Sequence, residues 1–307
     1  MLSRKSPAIK NYNFYKNINP NVTSKLEAGL YVTSTPIGNL KDFTIRGIEI
    51  LHHVDIIACE DTRRSRKLLN FYNIKNNLIS YHDHNEEKVL PKLLSILLDG
   101  KSIALISDSG TPLINDPGFK LVSKCIKKGI SVIPIPGACS IVTALSVSGV
   151  PTNKFVFLGF FPTKLNEKKK LISLINIFKG SIVFFETPKR LIKTLDYLRN
   201  YFPERNVSIC KELTKLHEKI YFDKISNILS NPELKNPKGE YVLILGPQLN
   251  DNTDIQDIDT LLFEALNLMK VSEAVNQVSA LTGTKKKELY NKALNLKKII
   301  QHKKSLS

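Results

Sequence analysis

From Leu30 to about residue 150, short uninterrupted apolar runs alternate with stretches whose apolar residues recur at helical spacing. The runs are "LYVTST" (30–35), "DIIACE" (55–60), "NLISY" (77–81), "SIALIS" (102–107) and "SVIPIP" (131–136). They lack the in-out alternation of a strand with one wet face. Continuous apolar strands are what burial on both faces of a mostly parallel sheet produces. The segments between them, 44–54, 63–72, 86–98, 119–128 and 140–148, are the helices expected to cover those faces. The alternation restricts the fold class to α/β, with residues 29–150 as an N-terminal domain.

A second α/β domain is expected over 151–247, after the break "SGVPTNK" (148–154). Its strands read as 155–160, 181–187, 206–213, 218–225 and 240–246, with helices over 168–178 and 190–202. Only a few residues separate the strands near 206 and 218, which implies a hairpin and therefore a mixed sheet. "PQLNDNTDIQD" (247–257) has linker composition. Residues 258–307 read as a small basic module of three helices, 261–269, 271–283 and 285–296, similar in plan to a helix-turn-helix accessory. In its middle helix Val271, Ala274, Val275, Val278 and Leu281 share a face, Ser272 is the expected N-cap and Gly283 the stop. Residues 1–28 hold five Lys or Arg and no acid before Glu27, and read as a flexible basic extension.

Charge bears on the partner. The 45 Lys and Arg against 28 Asp and Glu give a net charge of +17. Such an excess favours a polyanion, nucleic acid first, although a Lys- and Asn-rich composition inflates charge without function. No apolar run approaches the roughly 18 residues of a membrane span, and no secretory leader pattern is present. The expectation is a cytoplasmic chain that uses no membrane. Cys59, Cys125, Cys139 and Cys210 have no metal-ligand spacing and read as reduced, buried thiols. His82 and His84 lack a third ligand nearby, so no metal is expected, and "HDHNE" reads as a polar loop over a site.

Four strand ends carry unusual residues: "TPIGNL" (35–40), "CEDTRRS" (59–65), "SDSGTP" (107–112) and "PGACS" (136–140). Open α/β sheets bind ligands beyond the carboxyl ends of their strands, so all four can line one rim. Gly38, Gly110 and Gly137 allow close backbone approach, and Pro36, Pro112 and Pro136 stiffen the loops. The chain has no G-x-x-x-x-G-K-[ST] and no G-x-G-x-x-G after its first strand, which argues against a P-loop and the common dinucleotide fold.

The order "LYVTSTPIGNLKDFTIRGIEIL", "DIIACEDTRRSRKLL", "HDHNE", "SDSGTPLINDPGFKLV", "PIPGACSIVTALSVSG", "FLGFFP", "FFETPKRL", "KELTK" and "KGEYVLILG" resembles the tetrapyrrole-methylase superfamily of S-adenosylmethionine-dependent enzymes. Within it the chain looks like the branch that methylates the ribose 2′-oxygen of a cytidine in the decoding region of small-subunit ribosomal RNA. The likeness runs from about Leu30 to Leu296. Cys59 and Ser109 stand where alanines are expected, Thr187 where serine is, and Lys189 where histidine is.

The resemblance implies a methyl-donor pocket in the cleft between the two α/β domains. Pro36, Gly38, Asp108, Gly110, Thr111, Pro136 and Gly137 would border it from the first domain, with Phe185 and Gly239 from the second. Glu60, Asp61 and Glu186 are the expected catalytic acids, because a ribose hydroxyl must lose its proton; Asp61 and Glu60 alternatively only cap the helix that follows. Arg63, Arg64, His84, Arg190, Lys215, Lys285, Lys286 and Lys287 are the expected RNA contacts. The expected partners are small-subunit ribosomal RNA or the 30S subunit, and a second copy in a homodimer. The competing readings are a methylase of a small molecule such as a tetrapyrrole, and a non-catalytic RNA-binding assembly factor.

Overall fold

A computed structural model describes residues 26–248, 255–268, 270–282 and 284–304. Most of the N-terminal extension and most of the expected linker lie outside the described residues. Residues up to Pro247 form one compact unit and the remaining chain a second.

The first sheet is built from β1 (Gly29–Thr33), β2 (Ile56–Cys59), β3 (Leu78–Ser80), β4 (Ser102–Ile106) and β5 (Val132–Ile135). All pairings are parallel and the order is β3-β2-β4-β1-β5. Adjacent residues of one strand go to opposite cores. Tyr31, Ile57, Cys59, Ala104 and Ile106 pack with α1 (Ile45–His53) and α2 (Thr62–Phe71). Leu30, Ala58, Ile103 and Leu105 pack with α3 (Glu86–Leu98) and α4 (Phe119–Lys127). Both faces are covered, which is why the strands read as unbroken apolar runs. Each buried Leu or Ile contributes roughly 1.5–3 kcal/mol.

The second sheet has order β6-β7-β10-β8-β9, from β6 (Phe155–Phe160), β7 (Ser181–Glu186), β8 (Asn206–Lys211), β9 (Lys219–Lys224) and β10 (Tyr241–Leu245). β6 and β7 run parallel and the other pairs antiparallel, so the sheet is mixed and β8–β9 is the expected hairpin. One face packs on α6 (Leu165–Ile177), α7 (Pro188–Arg199) and the one-turn α8 (Ile225–Ile228). The other face is covered by α5 (Ser140–Val147). This helix follows β5 of the first sheet, yet it buries Ile141, Ala144 and Leu145 against Val183, Cys210, Val242 and Ile244 of the second. Ile37 joins the same cluster, so the two sheets share a core at their junction.

The second unit is a three-helix cluster of α9 (Ile255–Leu268), α10 (Val271–Thr282) and α11 (Lys286–Lys304) around Ile258, Leu262, Val275, Val278, Leu289 and Ala293. Ser272 is inside α10 and not its cap. Lys270 holds the capping position: its carbonyl accepts from Ala274 N, and its own N–H donates to the Glu273 carboxylate at 3.2 Å. Gly283 and the side chain of Leu281 lie outside the described residues.

Candidate active site

β1 and β4 are neighbours in a parallel sheet, so the loops that follow them emerge side by side at one rim. Thr35 N–H donates to Gly110 O (2.8 Å) and Gly110 N–H returns to Thr35 O (3.1 Å). Ser34 and Thr111 hydroxyls are 2.9 Å apart, and Thr111 Oγ1 donates to Ala138 O at 3.0 Å. Three strand-end loops are thereby fixed to each other. The twelve-residue stretch 107–118 uses left-handed backbone at Gly110 (φ +84°), Leu113 (+71°), Asn115 (+64°) and Gly118 (+132°). At a branched residue such as Leu113 that conformation costs roughly 1–2 kcal/mol, so the path is imposed by its surroundings.

Above this rim lies a cavity of about 450 Å³, walled by both sheets. Glu60, Arg64, Asp108, Gly110, Thr111 and Asp116 come from the first sheet's loops. Phe160, Phe185, Thr187, Gly239 and Val242 face them from the second. Phe160 is there because of a bulge. Phe157 and Phe160 are three residues apart, and a regular strand would send them to opposite faces. Register shifts between them, with Gly159 at φ +66°, and both rings then stack edge-on against Phe185, at 4.8 and 5.7 Å.

The first sheet's side of the cavity is acidic. Asp108 accepts from Asp61 N–H at 3.1 Å and pairs with Arg64 at 3.2 Å. Burial raises the Glu60 carboxyl above its usual range, helped by repulsion from Asp108 and Asp83 and opposed by Arg64 and His82. Burial pushes Asp116 up to about 6, against the Ser107 hydroxyl and with repulsion from Glu60, Asp108 and Asp83. Partial burial next to like charges, as at Glu60 and Asp116, is how proteins make a carboxylate a base active near neutral pH.

The expected site residues divide. Glu60, Asp108, Gly110, Thr111, Phe185, Gly239, Glu186 and Arg64 line the cavity. Pro36, Gly38, Pro136 and Gly137 do not. Gly38 instead lets the β1 loop meet the second sheet: a Cβ there would lie 2.4 Å from Lys215 Cγ. Gly137 packs against Ser34, Pro136 is exposed, and Pro36 is buried. Asp61 turns outward, caps α2 through Arg63 N–H (2.8 Å) and grips the Arg63 guanidinium at 2.8 and 3.1 Å. Those bonds hold its carboxyl well below the usual range. The capping alternative therefore describes Asp61.

Glu186 is 2% exposed and its carboxylate is fully engaged. It accepts from Thr187 N–H (2.7 Å) and Thr194 Oγ1 (2.5 Å) and pairs with Arg190 Nε (3.0 Å), holding the start of α7 to β7. Arg190 also donates to Phe161 O. Lys215 bridges Glu212 (3.0 Å) and Glu240 (2.9 Å) and so locks the second sheet's two rim loops. His84 is exposed and stacks edge-on with His82 at 6.0 Å. Lys285, Lys286 and Lys287 are exposed at the start of α11 in the second unit. Sequence reasoning missed Asp116, Phe160, Cys139 and Cys210 as cavity residues. No group of three or more potential metal ligands occurs among the described residues.

The cavity suits a donor such as S-adenosylmethionine. Its volume is that of a small-molecule site, with an aromatic and aliphatic wall for a nucleobase opposite carboxylates and backbone groups for an amino-acid zwitterion. Gly239, at φ +93°, lies where a Cβ would meet the Glu212 carboxyl carbon at 2.6 Å, so backbone forms that edge of the cavity.

The family model described as tetrapyrrole (corrin/porphyrin) methylases matches residues 29–229. A second, described as the RsmI C-terminal HTH domain, matches residues 252–297. Ribosomal RNA small subunit methyltransferase I of Mesorhizobium japonicum is 40% identical over 274 residues, covering 89% of this chain and 93% of that protein. The protein of the same name from Halalkalibacterium halodurans is 39% identical over 273 residues, covering 85% and 93%. Among solved structures, diphthine synthase superposes with a TM-score of 0.55 at 13% identity, over 71% of this chain and 89% of that one. Uroporphyrin-III C-methyltransferase from Thermus thermophilus, solved with S-adenosyl homocysteine, gives 0.50 at 14% identity, over 71% and 97%. At such identities these structures speak for the fold alone.

Proposed function

The chain belongs to the tetrapyrrole methylase family, in its ribosomal RNA small subunit methyltransferase I group, and we propose that it transfers a methyl group from S-adenosylmethionine to the 2′-oxygen of a cytidine in small-subunit ribosomal RNA. The observation that carries this reading is the acidic cluster of Glu60, Asp108 and Asp116 facing an apolar wall across one cavity, in a chain of that family. The bound donor supplies an electrophilic methyl group.

The chain's own residues do the rest. The pinned loops around Thr35, Gly110 and Thr111, with Phe160 and Phe185 opposite, hold donor and acceptor in line and exclude water. Asp108 is spent on Asp61 N–H and Arg64, and Glu186 on α7. Asp116 is left as the proton acceptor for the ribose hydroxyl, at about 6 a stronger base than an ordinary carboxylate. Burial keeps it so, and repulsion from Glu60 adds to it.

The 30S subunit or its RNA is the substrate, gripped in addition by the second unit through Lys285, Lys286 and Lys287. The protein acts as a cytoplasmic homodimer. Phe222 pairs with Ser208 and Ile220 with Cys210, whose thiol donates to Ala144 O, so both lie on the α5 side of the second sheet. Val142 and Val147 of α5 are exposed as well, and a second copy would cover these apolar side chains.

Labelled donor incubated with unmodified small subunits tests the reading. Label recovered in 2′-O-methylcytidine supports it. Donor binding without label in RNA would move the chain to the small-molecule methylases.

A further inference from the structure

Outside the cavity, one face of α2 is a basic stripe. Arg63, Arg66, Lys67 and Asn70 recur at i, i+3, i+4 and i+7 and line a shallow groove with Thr62. A second hollow continues it, sharing Arg66 and Asn70 and adding His52, Lys75 and Asn76 from beside α1 and β3. Among the described residues, no carboxylate lines either hollow.

The charge balance there is unlike that of many cations elsewhere on the chain. Lys120, Arg190, Arg199, Lys215, Lys219 and Lys224 each face a carboxylate. Arg66, Lys67 and Lys75 are exposed and make no ion pair among the described residues. Arg63 is tied to the capping Asp61. α2 has no acid in its first turn, and its cations crowd the helix end where the backbone dipole is already positive. Like charges three and four residues apart repel, so the stripe destabilises the isolated helix and is offset by an anion laid along it. Such neighbours lie about 5–6 Å apart at Cβ, so the side chains present a continuous row of charge.

The same helix reaches the cavity. Arg64 lines it and pairs with Asp108 at 3.2 Å. We infer that the α2 stripe is the track for the single-stranded RNA flanking the target nucleotide, its phosphates lying along Arg63, Arg66, Lys67 and Lys75. This rests on the reading that RNA is the substrate. Among the described residues, His52 is the one aromatic ring lining the two hollows, so the track holds backbone and is indifferent to base sequence.

The test compares R66E/K67E with K127E/K128E, which reverses the same charge on exposed positions at the end of α4, in the full-length protein. Direct binding to a single-stranded small-subunit RNA fragment is measured across salt concentrations, with S-adenosylhomocysteine affinity as the check on folding. The expected result for R66E/K67E is RNA affinity lowered at least about tenfold and a log–log salt slope shallower by about 1.4, two phosphates at ~0.7 each, with donor affinity unchanged. K127E/K128E keeps RNA affinity within about twofold, since distant exposed charges are screened. Equal losses in the two variants, or unchanged affinity and slope in R66E/K67E, would overturn the track. Wild-type protein that binds RNA on this stripe yet transfers no methyl group to it would sink the functional reading and leave the track standing.

Discussion

Thr35 and Gly110 exchange both backbone hydrogen bonds, at 2.8 and 3.1 Å, across the carboxyl ends of adjacent parallel strands. This two-bond bridge converts a pair of surface loops into one wall of a cavity. It also explains why a twelve-residue, turn-rich loop follows β4: the loop must leave the strand, pair backward with the β1 loop, present Asp108 and Asp116, and re-enter at α4.

The bridge predicts the effect of Gly110→Ala. Gly110 has φ +84°, and a Cβ would lie 3.2 Å from Ile37 Cγ2. The strain of roughly 1–2 kcal/mol falls on the cavity wall itself. Calorimetric titration should show S-adenosylhomocysteine affinity reduced about tenfold, a loss of about 1.4 kcal/mol, with the secondary structure retained.

Glu186 separates a positioning role from a catalytic one. Its carboxylate is buried beneath three donors, and Arg190 is only partly exposed. Glu186→Ala leaves Thr194 without its acceptor and Arg190 without its counter-ion, and should cost about 3–5 kcal/mol in chemical denaturation, as loss of one member of a buried pair does. A fully stable but inactive Glu186→Gln would instead make it the base.

Asp116 has the opposite signature. Its carboxyl is raised in the folded state, so between the ordinary value near 3.8 and about 6 the folded chain binds more protons than the unfolded one. Stability therefore falls as pH rises through that window. Asp116→Asn removes the penalty. Allowing for solvent screening at a partly exposed site, it should stabilise the protein at pH 7 by about 1 kcal/mol while slowing turnover at least about a hundredfold. Thermal melts at pH 4 and pH 7 check the sign, since the gain should vanish at the lower pH.

The second unit should contribute affinity without chemistry. In the full chain, K285E/K286E/K287E should reduce RNA affinity and lower the log–log salt slope by about 2, at ~0.7 for each phosphate that is no longer neutralised. Donor affinity should be unchanged. Filter binding across salt concentrations reads both RNA terms.

The parallel sheet was legible because its strands are apolar on both faces, and the structure assigns alternate residues such as Ala58 and Cys59 to opposite cores. The start of α7 was also written in the chain: Pro188 at the first helical position is a start signal, although the periodicity suggested residue 190. Phe160 was not legible, because a bulge overrides the strand period. Lys215 looked free for phosphate because Glu240, which completes its bridge with the nearby Glu212, is brought to it only by the pairing of β8 with β10. Gly38 looked like a ligand neighbour, yet the close approach it permits is to Lys215. Asp116 was hidden inside Asn-Asp-Pro-Gly, where turn chemistry already accounts for each residue. Its role emerges only when Glu60, from another strand end, faces it.

The most direct test is single-turnover methyl transfer from prebound labelled S-adenosylmethionine to unmodified small subunits, followed from pH 5 to 8 in wild type and Asp116→Asn. The account predicts a wild-type rate that rises about tenfold per pH unit below about 6 and then levels, as ionisation of Asp116 requires. The variant should lose at least about a hundredfold, and with it the rising limb, at unchanged donor affinity. A variant that keeps the wild-type rate and profile would contradict the assignment of the cavity's chemistry to this cluster.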